Sequence, residues 1–149
     1  MIIEQTSAVP ASIDRVWARI VTPAGINDEM RPWMTMSPPR GVDLTIDTLP
    51  VGVPIGRCWL KLFGIIPFDY DLLMIAEIRP GRSFYEKSTM LSMHRWEHER
   101  TLTPRAAATL VRDRITFDSR VPGLATAIAP LLRAFFAHRH RRLARHFAQ

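Results

Sequence analysis

The stretch from Val121 to Gln149 constrains this chain most. Leu124, Ile128, Leu131, Leu132, Phe135, Phe136, Leu143 and Phe147 recur at three- and four-residue intervals, which stacks them along one stripe of a helix. Such a stripe has to be buried against other elements. What precedes it is a series of short segments with a two-residue alternation. The fold class expected is therefore α+β, a curved antiparallel sheet of about seven strands closed around one long C-terminal helix. Two layers of this shape leave space between them, and a cavity between sheet and helix is the functional feature the pattern predicts.

At 149 residues the chain fits one domain, 1–149, large enough to bury roughly 70% of its unfolded surface without metal or disulfide staples. The lone Cys58 has no internal disulfide partner. No apolar run approaches the roughly 18 residues of a membrane span. The opening MIIEQTSAV carries an acid and no basic n-region, unlike a signal peptide, so a cytoplasmic protein is expected.

The net charge of +6 is unevenly placed: through Asp118 fourteen Lys and Arg balance fourteen Asp and Glu, and six Arg lie beyond. Arg139, Arg141, Arg142 and Arg145, with His138, His140 and His146, crowd the helix C-terminus, where the dipole favours cations. The same run could dock an anionic partner, a lipid head group, nucleotide or RNA. No RNA-binding motif interleaves aromatics with it, so nucleic acid is the least favoured of these.

In chain order, Ile2 to Val9 reads as a strand ended by Pro10. Ser12 is placed to cap a helix whose apolar face is Ile13, Val16, Trp17 and Ile20, and Thr22-Pro23 starts a second short helix limited by Pro32. Trp33, Met34 and Met36 fall in a loop expected to cover one mouth of the cavity. Val42, Leu44 and Ile46 alternate with polar residues and predict a half-buried strand. Arg57 to Phe63 follows as a strand, with Cys58, Leu60 and Leu62 on one face. The apolar tip Phe63 to Pro67 reads as a core or dimer contact, or as a lid or membrane-touching loop. One further strand, Phe68 to Ile78, is expected to turn Phe68, Tyr70, Leu72, Met74, Ala76 and Ile78 to one side. After the Pro80-Gly81 turn, Ser83 to Thr89 carries Phe84 and Glu86 on a shared face.

The next hairpin is the most informative. In HRWEHERTL, His94, Trp96, His98, Arg100 and Leu102 share one face and the mixed charges the other, with a turn at Thr103 to Arg105. On the return strand Val111, Asp113, Ile115 and Phe117 face inward. Cross-strand pairing then sets Asp113 beside either His98 or Arg100, an interior acid against a base. A turn of about 100° per residue also puts Arg139 inside the apolar stripe of the last helix, where it needs a partner.

Other chemistry is poorly served. His94 and His98 flank Trp96 at poor ligand spacing with no Cys to join them, so no metal or other cofactor is expected. His138 and His140 read as surface groups, and Cys58 as a small core residue without an activating partner. There is no glycine-rich phosphate loop, no GxSxG and no HExxH.

The element order, with Val16-Trp17 in the first helix, Pro80-Gly81 before Phe84, WEH at Trp96 to His98, DRITF at Asp113 to Phe117 and FFAHRHRRL near the end, resembles the START-like superfamily. This group, also described as SRPBCC or helix-grip, includes polyketide cyclases and lipid carriers. The chain is most similar to uncharacterised bacterial ligand-binding SRPBCC proteins. The resemblance implies a deep, mostly apolar cavity for hydrophobic small molecules, with catalysis in only some branches.

The expected apolar walls are Trp17, Leu60, Tyr70, Met74, Phe84, Trp96, Phe117, Leu132 and Phe136, and the polar constellation is Glu86, His98, Arg100, Asp113 and Arg139. Three roles fit that constellation: Arg100 or Arg139 paired with Asp113 or Glu86 in a structural network, a polar anchor for a ligand, or proton transfer by His98 and Asp113. The functions that follow are binding or carriage of a hydrophobic or amphipathic molecule, a polyketide cyclase or dehydratase-like enzyme, or an adaptor docking anionic lipid or RNA through the basic helix end. A monomer is expected to stand alone, and a homodimer could form through the Trp59 and Phe63 face.

Overall fold

A computed structural model describes residues 1–149. Strand β1 (Ile2–Val9) leads into helices α1 (Ile13–Ile20) and α2 (Pro23–Met30), then β2 (Met34–Ser37), a 3-10 turn at Ile46–Thr48, β3 (Arg57–Leu62), β4 (Ile66–Leu72), β5 (Ile75–Arg79), β6 (Ser83–Met90), β7 (Met93–Arg105), β8 (Ala108–Ser119) and α3 (Leu124–Ala148). The antiparallel sheet runs β1-β8-β7-β6-β4-β3-β2, with β5 also paired to β6. Because β4 and β5 lie end to end along β6, seven strand positions are filled. The α+β helix-grip arrangement expected from the patterning is what forms.

Local chemistry starts each helix. Thr22 Oγ1 accepts the Gly25 amide at 3.1 Å, and Pro23 fills the first turn of α2. Ser12 holds the N-cap position of α1, but its hydroxyl makes no capping bond; only its carbonyl accepts, from the Val16 amide at 3.0 Å. At α3, Ser119 Oγ accepts the Ala125 amide at 3.0 Å, and Gly123 at φ 81° takes the left-handed turn that leads in.

Four local expectations are corrected. Residues 42–45 are irregular and Ile46–Thr48 is a 3-10 turn, because Leu44 and Ile46 pack as core on α1 and α2 without a strand partner. The segment Met34–Ser37 is not a loop but an edge strand on β3. The chain from 68 to 78 breaks at Leu73-Met74, and as far as Ile75 its inward side is Asp69, Asp71, Leu73 and Ile75, the opposite parity to that expected; the irregularity between Ile75 and Glu77 then returns Ile78 to the core side, as expected. The β7 to β8 turn lies at Ala106, with φ 52°, so Thr103 to Arg105 remain paired.

The core divides into two clusters. One gathers Val16, Ile20, Leu44, Leu102, Val111 and Leu143 under α1 and α2; the other gathers Trp96, Ile115, Phe117, Ala129 and Phe136 under the first half of α3. Along β7, β8 and α3 alike, the residues between the two clusters are polar: His98 and Arg100, Asp113, and Arg139 with His140. Leu143, 1% exposed, joins the far end of α3 to the first cluster. Leu143→Ala is expected to lower stability by about 2 to 5 kcal/mol, read as a reduced urea midpoint with an unchanged slope.

Candidate functional site

The seam between the clusters is one connected network centred on Arg100. In register Arg100 sits opposite Asp113. Its Nε donates to Asp113 Oδ1 and its Nη2 to Oδ2, both at 2.7 Å. The other edge of the guanidinium donates to Glu29 of α2, Nη1 to Oε2 at 2.9 Å and Nη2 to Oε1 at 2.8 Å. Arg139 Nε of α3 reaches Glu29 Oε1 at 3.3 Å. Arg100 thus ties the sheet to α2 through planar two-point contacts that only a guanidinium can make, and a single bond from Arg139 ties α2 to α3.

Asp113 also accepts from two imidazoles, His98 Nε2 on Oδ1 and His140 Nε2 on Oδ2, each at 2.7 Å. His140 Nδ1 lies 2.6 Å from Ser7 Oγ, which fixes the ring between β1 and β8. Burial opposes the Asp113 charge, but Arg100 and His98 outweigh it and hold the carboxyl well below its usual range. For Arg100, burial likewise opposes the charge, and Asp113 and Glu29 outweigh it and raise its pKa.

Beside this seam opens a cavity of about 760 Å³, mostly apolar and within the size of small-molecule sites. Its mouth is marked by residues that both line it and face solvent: Trp33, Leu62, Phe68 and Leu131. The apolar tip at Phe63, Ile65 and Ile66 is exposed next to that mouth, with Phe63 and Trp33 ring centroids 6.5 Å apart. The interior wall includes Leu60, Phe84, Met90, Trp96, Leu132 and Phe136, and its polar groups include Asp69, Asp71, Glu86, Ser92, His98, Arg100 and Arg139. The rings of Phe84 and Phe136 flank His98 at 5.5 and 5.4 Å.

Of the expected site residues, Leu60, Phe84, Glu86, Trp96, His98, Arg100, Leu132, Phe136 and Arg139 line the cavity. Trp17 and Phe117 do not: both are core packing. Tyr70 lies on the outer face against Trp59, with Arg57 over its ring at 4.7 Å, and Met74 sits at the β4 to β5 break. Both displacements follow from the inverted parity of β4. Asp113 is fully buried behind His98 and Arg100 and reaches the cavity only through them. His94 turns outward because a bulge between Met93 and Arg95 puts Met93 inside. His140 is no surface group; it is 2% exposed and belongs to the network. Arg142 binds Asp28 Oδ1 at 2.9 Å and Arg139 is interior, so of the four terminal arginines Arg141 and Arg145 face solvent.

Sequence reasoning missed Glu29, Asp69 and Asp71. Glu29 lies three residues after the buried Ile26 on α2, a spacing that marks the inner face. For Asp69 and Asp71 the alternation points the wrong way, since Phe68, Tyr70 and Leu72 put the large apolar residues of that strand on the opposite face. Asp69 is well supplied: its carboxylate accepts the Tyr70 and Leu91 amides at 2.8 and 2.9 Å and the Ser92 hydroxyl. Asp71, 4% exposed, has an Oδ1 with no hydrogen-bond partner. Burial, then the Glu86 charge, raises its pKa well above the carboxylate range, and burial with the same two acids pushes the Cys58 thiol up to about 12.

The two buried aspartates should therefore leave opposite marks on stability. Asp113 stabilises above the unfolded carboxylate value of about 3.9 and loses that as pH falls through its lower folded value. Asp71 does the reverse: the fold keeps a proton that the unfolded chain releases, so stability declines as pH rises toward the raised folded value. Urea titrations between pH 4 and 7 are expected to show Asp113→Asn losing about 3 to 5 kcal/mol at neutral pH, and Asp71→Asn gaining stability at neutral pH with the gain shrinking toward pH 4.

Comparison with known proteins accords with this architecture. A START superfamily protein from Mycobacterium smegmatis superposes with a TM-score of 0.72 at 10% identity, covering 99% of this chain and 97% of that one. A protein from Chromobacterium violaceum gives 0.73 at 12% identity, over 99% and 97%. DynU16, from the dynemicin biosynthetic locus, gives 0.67 at 17% identity over 99% of this chain, which spans 47% of the DynU16 chain. At these identities the shared property is the START-like fold. No curated protein matches the sequence. No helix is long and apolar enough to cross a membrane. Residues 7–147 match the family model described as domain of unknown function DUF8410, and the chain belongs to that family.

Proposed function

We propose that this protein binds a hydrophobic or amphipathic small molecule between α3 and the sheet. The observation that carries the reading is the cavity of about 760 Å³, open at a mouth of exposed apolar residues and walled mostly by apolar side chains, with a few polar groups converging inside. Trp96 and Phe136 form its wall instead of closing it. The Arg100 network supports the same reading, because it holds α2, α3 and the sheet apart by hydrogen bonds where apolar side chains would let them collapse. Native mass spectrometry of freshly purified protein is expected to show a one-to-one adduct that organic extraction removes. An unadducted mass, together with no thermal shift from fatty acids, quinones or aromatic polyketides, would overturn the reading.

A second reading makes His98 a proton-transfer group. Its Nε2–H is committed to Asp113 at 2.7 Å, which turns Nδ1 toward Glu86, 4.0 Å from Oε1. His98 lines the cavity and Asp113 does not, so His98 alone could touch a bound molecule while Asp113 orients it. Incubating the extracted compound with protein in heavy water is expected to place deuterium on carbon, and His98→Ala to abolish this while leaving affinity within a few-fold. Equal exchange with the variant would remove His98 from any such chemistry.

A further inference from the structure

We propose that the inner wall of the cavity receives the ammonium group of a hydrophobic amine, seated at the carboxyls of Asp71 and Glu86. The proposal rests on the cavity-binding reading and names its ligand class. Asp69, Asp71 and Glu86 all line the cavity and are all buried. Their one basic neighbour within 4.0 Å is His98, near Glu86. Of the three arginines that line the cavity, Arg100 is engaged by Asp113 and Glu29 and Arg139 by Glu29, while Arg141 faces solvent. Even with one proton held by Asp71, the carboxyls leave the surplus on this wall negative.

The three acids are not equivalent. Asp69 is satisfied by backbone amides and the Ser92 hydroxyl and is structural. Glu86 receives one bond, from Ser88 Oγ to Oε2 at 2.7 Å, and Asp71 Oδ1 receives none. A buried carboxyl oxygen without a donor is costly and is seldom kept without a use. The missing component is a group with several N–H donors, no acceptor and positive charge, which describes an ammonium. No grouping of three or more His, Cys, Asp or Glu has metal-site geometry, which favours an organic cation over a metal ion. The adjoining wall, Leu60, Met90 and Trp96, supplies the apolar surface for the rest of such a molecule. A proton shared between Asp71 and Glu86 would satisfy the pair without any ligand, and head-group preference separates the two cases.

The test is calorimetric titration of the full chain with phenylbutylamine, phenylbutanol and phenylbutanoate, which share a body and differ in the head. The protein carries a net charge of +6, so its overall field favours the anion, and a preference for the cation must arise locally. The amine is expected to bind at least about tenfold more tightly than the alcohol or the acid. Asp71→Asn and Glu86→Gln are each expected to remove most of that advantage while the alcohol's affinity stays within about twofold. Should one variant fail to fold, the other and the wild-type series still decide. Equal binding of the three, or tightest binding of the acid, overturns the amine assignment and leaves the cavity reading standing. If none of the three binds, the amine assignment falls, and the adduct measurement decides the cavity reading.

Discussion

The fold depends on a single buried guanidinium. Arg100 is 1% exposed, and all three of its nitrogens donate to carboxylates, two-point to Asp113 and two-point to Glu29. Burying an ion this deeply is tolerable only when its donors are largely met, and four of the five N–H groups are. Meeting them requires β8 and α2 to arrive at fixed positions, after which Glu29 recruits Arg139 and Asp113 recruits His98 and His140. Elements distant in sequence are thereby held at one point by directional bonds, whereas an apolar seam would have allowed them to slide.

This arrangement explains how a helix can rest on a sheet without filling the space between them. The apolar clusters at either end of α3 anchor it, and the network between them spans the gap with long polar side chains. The cavity lies next to that span. Its polar interior has two parts of different character: a balanced network in which each charge has its counterpart, and a wall where Asp71 and Glu86 are under-supplied. The first part resembles scaffolding, and the second has the pattern of a group kept against stability for a purpose.

Much of the architecture was legible locally. Two-residue alternation in β7 and β8 predicted which side chains turn inward, His94 excepted, because each of those strands has one plainly charged face, and in β6 the apolar Phe84 marked the inner side. Phe84 with Glu86, and Trp96, His98 and Arg100 together, followed from that contrast, and the position of Arg139 followed from helical spacing. Parity failed in β4, where Phe68, Tyr70 and Leu72 compete with Leu73 and Ile75 for the interior and the outer aromatics find cover in each other, Tyr70 on Trp59. Tyr70 and Met74 were misplaced for that reason, and Asp69 and Asp71 passed unnoticed. The bulge that ejects His94 leaves no local trace either.

By itself, then, the sequence determined the fold class, the interior faces of the three long strands and the stripe of α3, since each of these is a periodicity set by backbone geometry. It also determined that acids and bases would meet inside, but not which ones. Only the tertiary structure decided that Arg100 takes Glu29 as its second partner, that His140 is interior, and that Asp71 leaves one carboxyl oxygen without a partner at the cavity wall. Those outcomes depend on contacts between residues far apart in the chain, such as the 71 positions between Glu29 and Arg100, and such pairing carries no period that a local pattern could reveal.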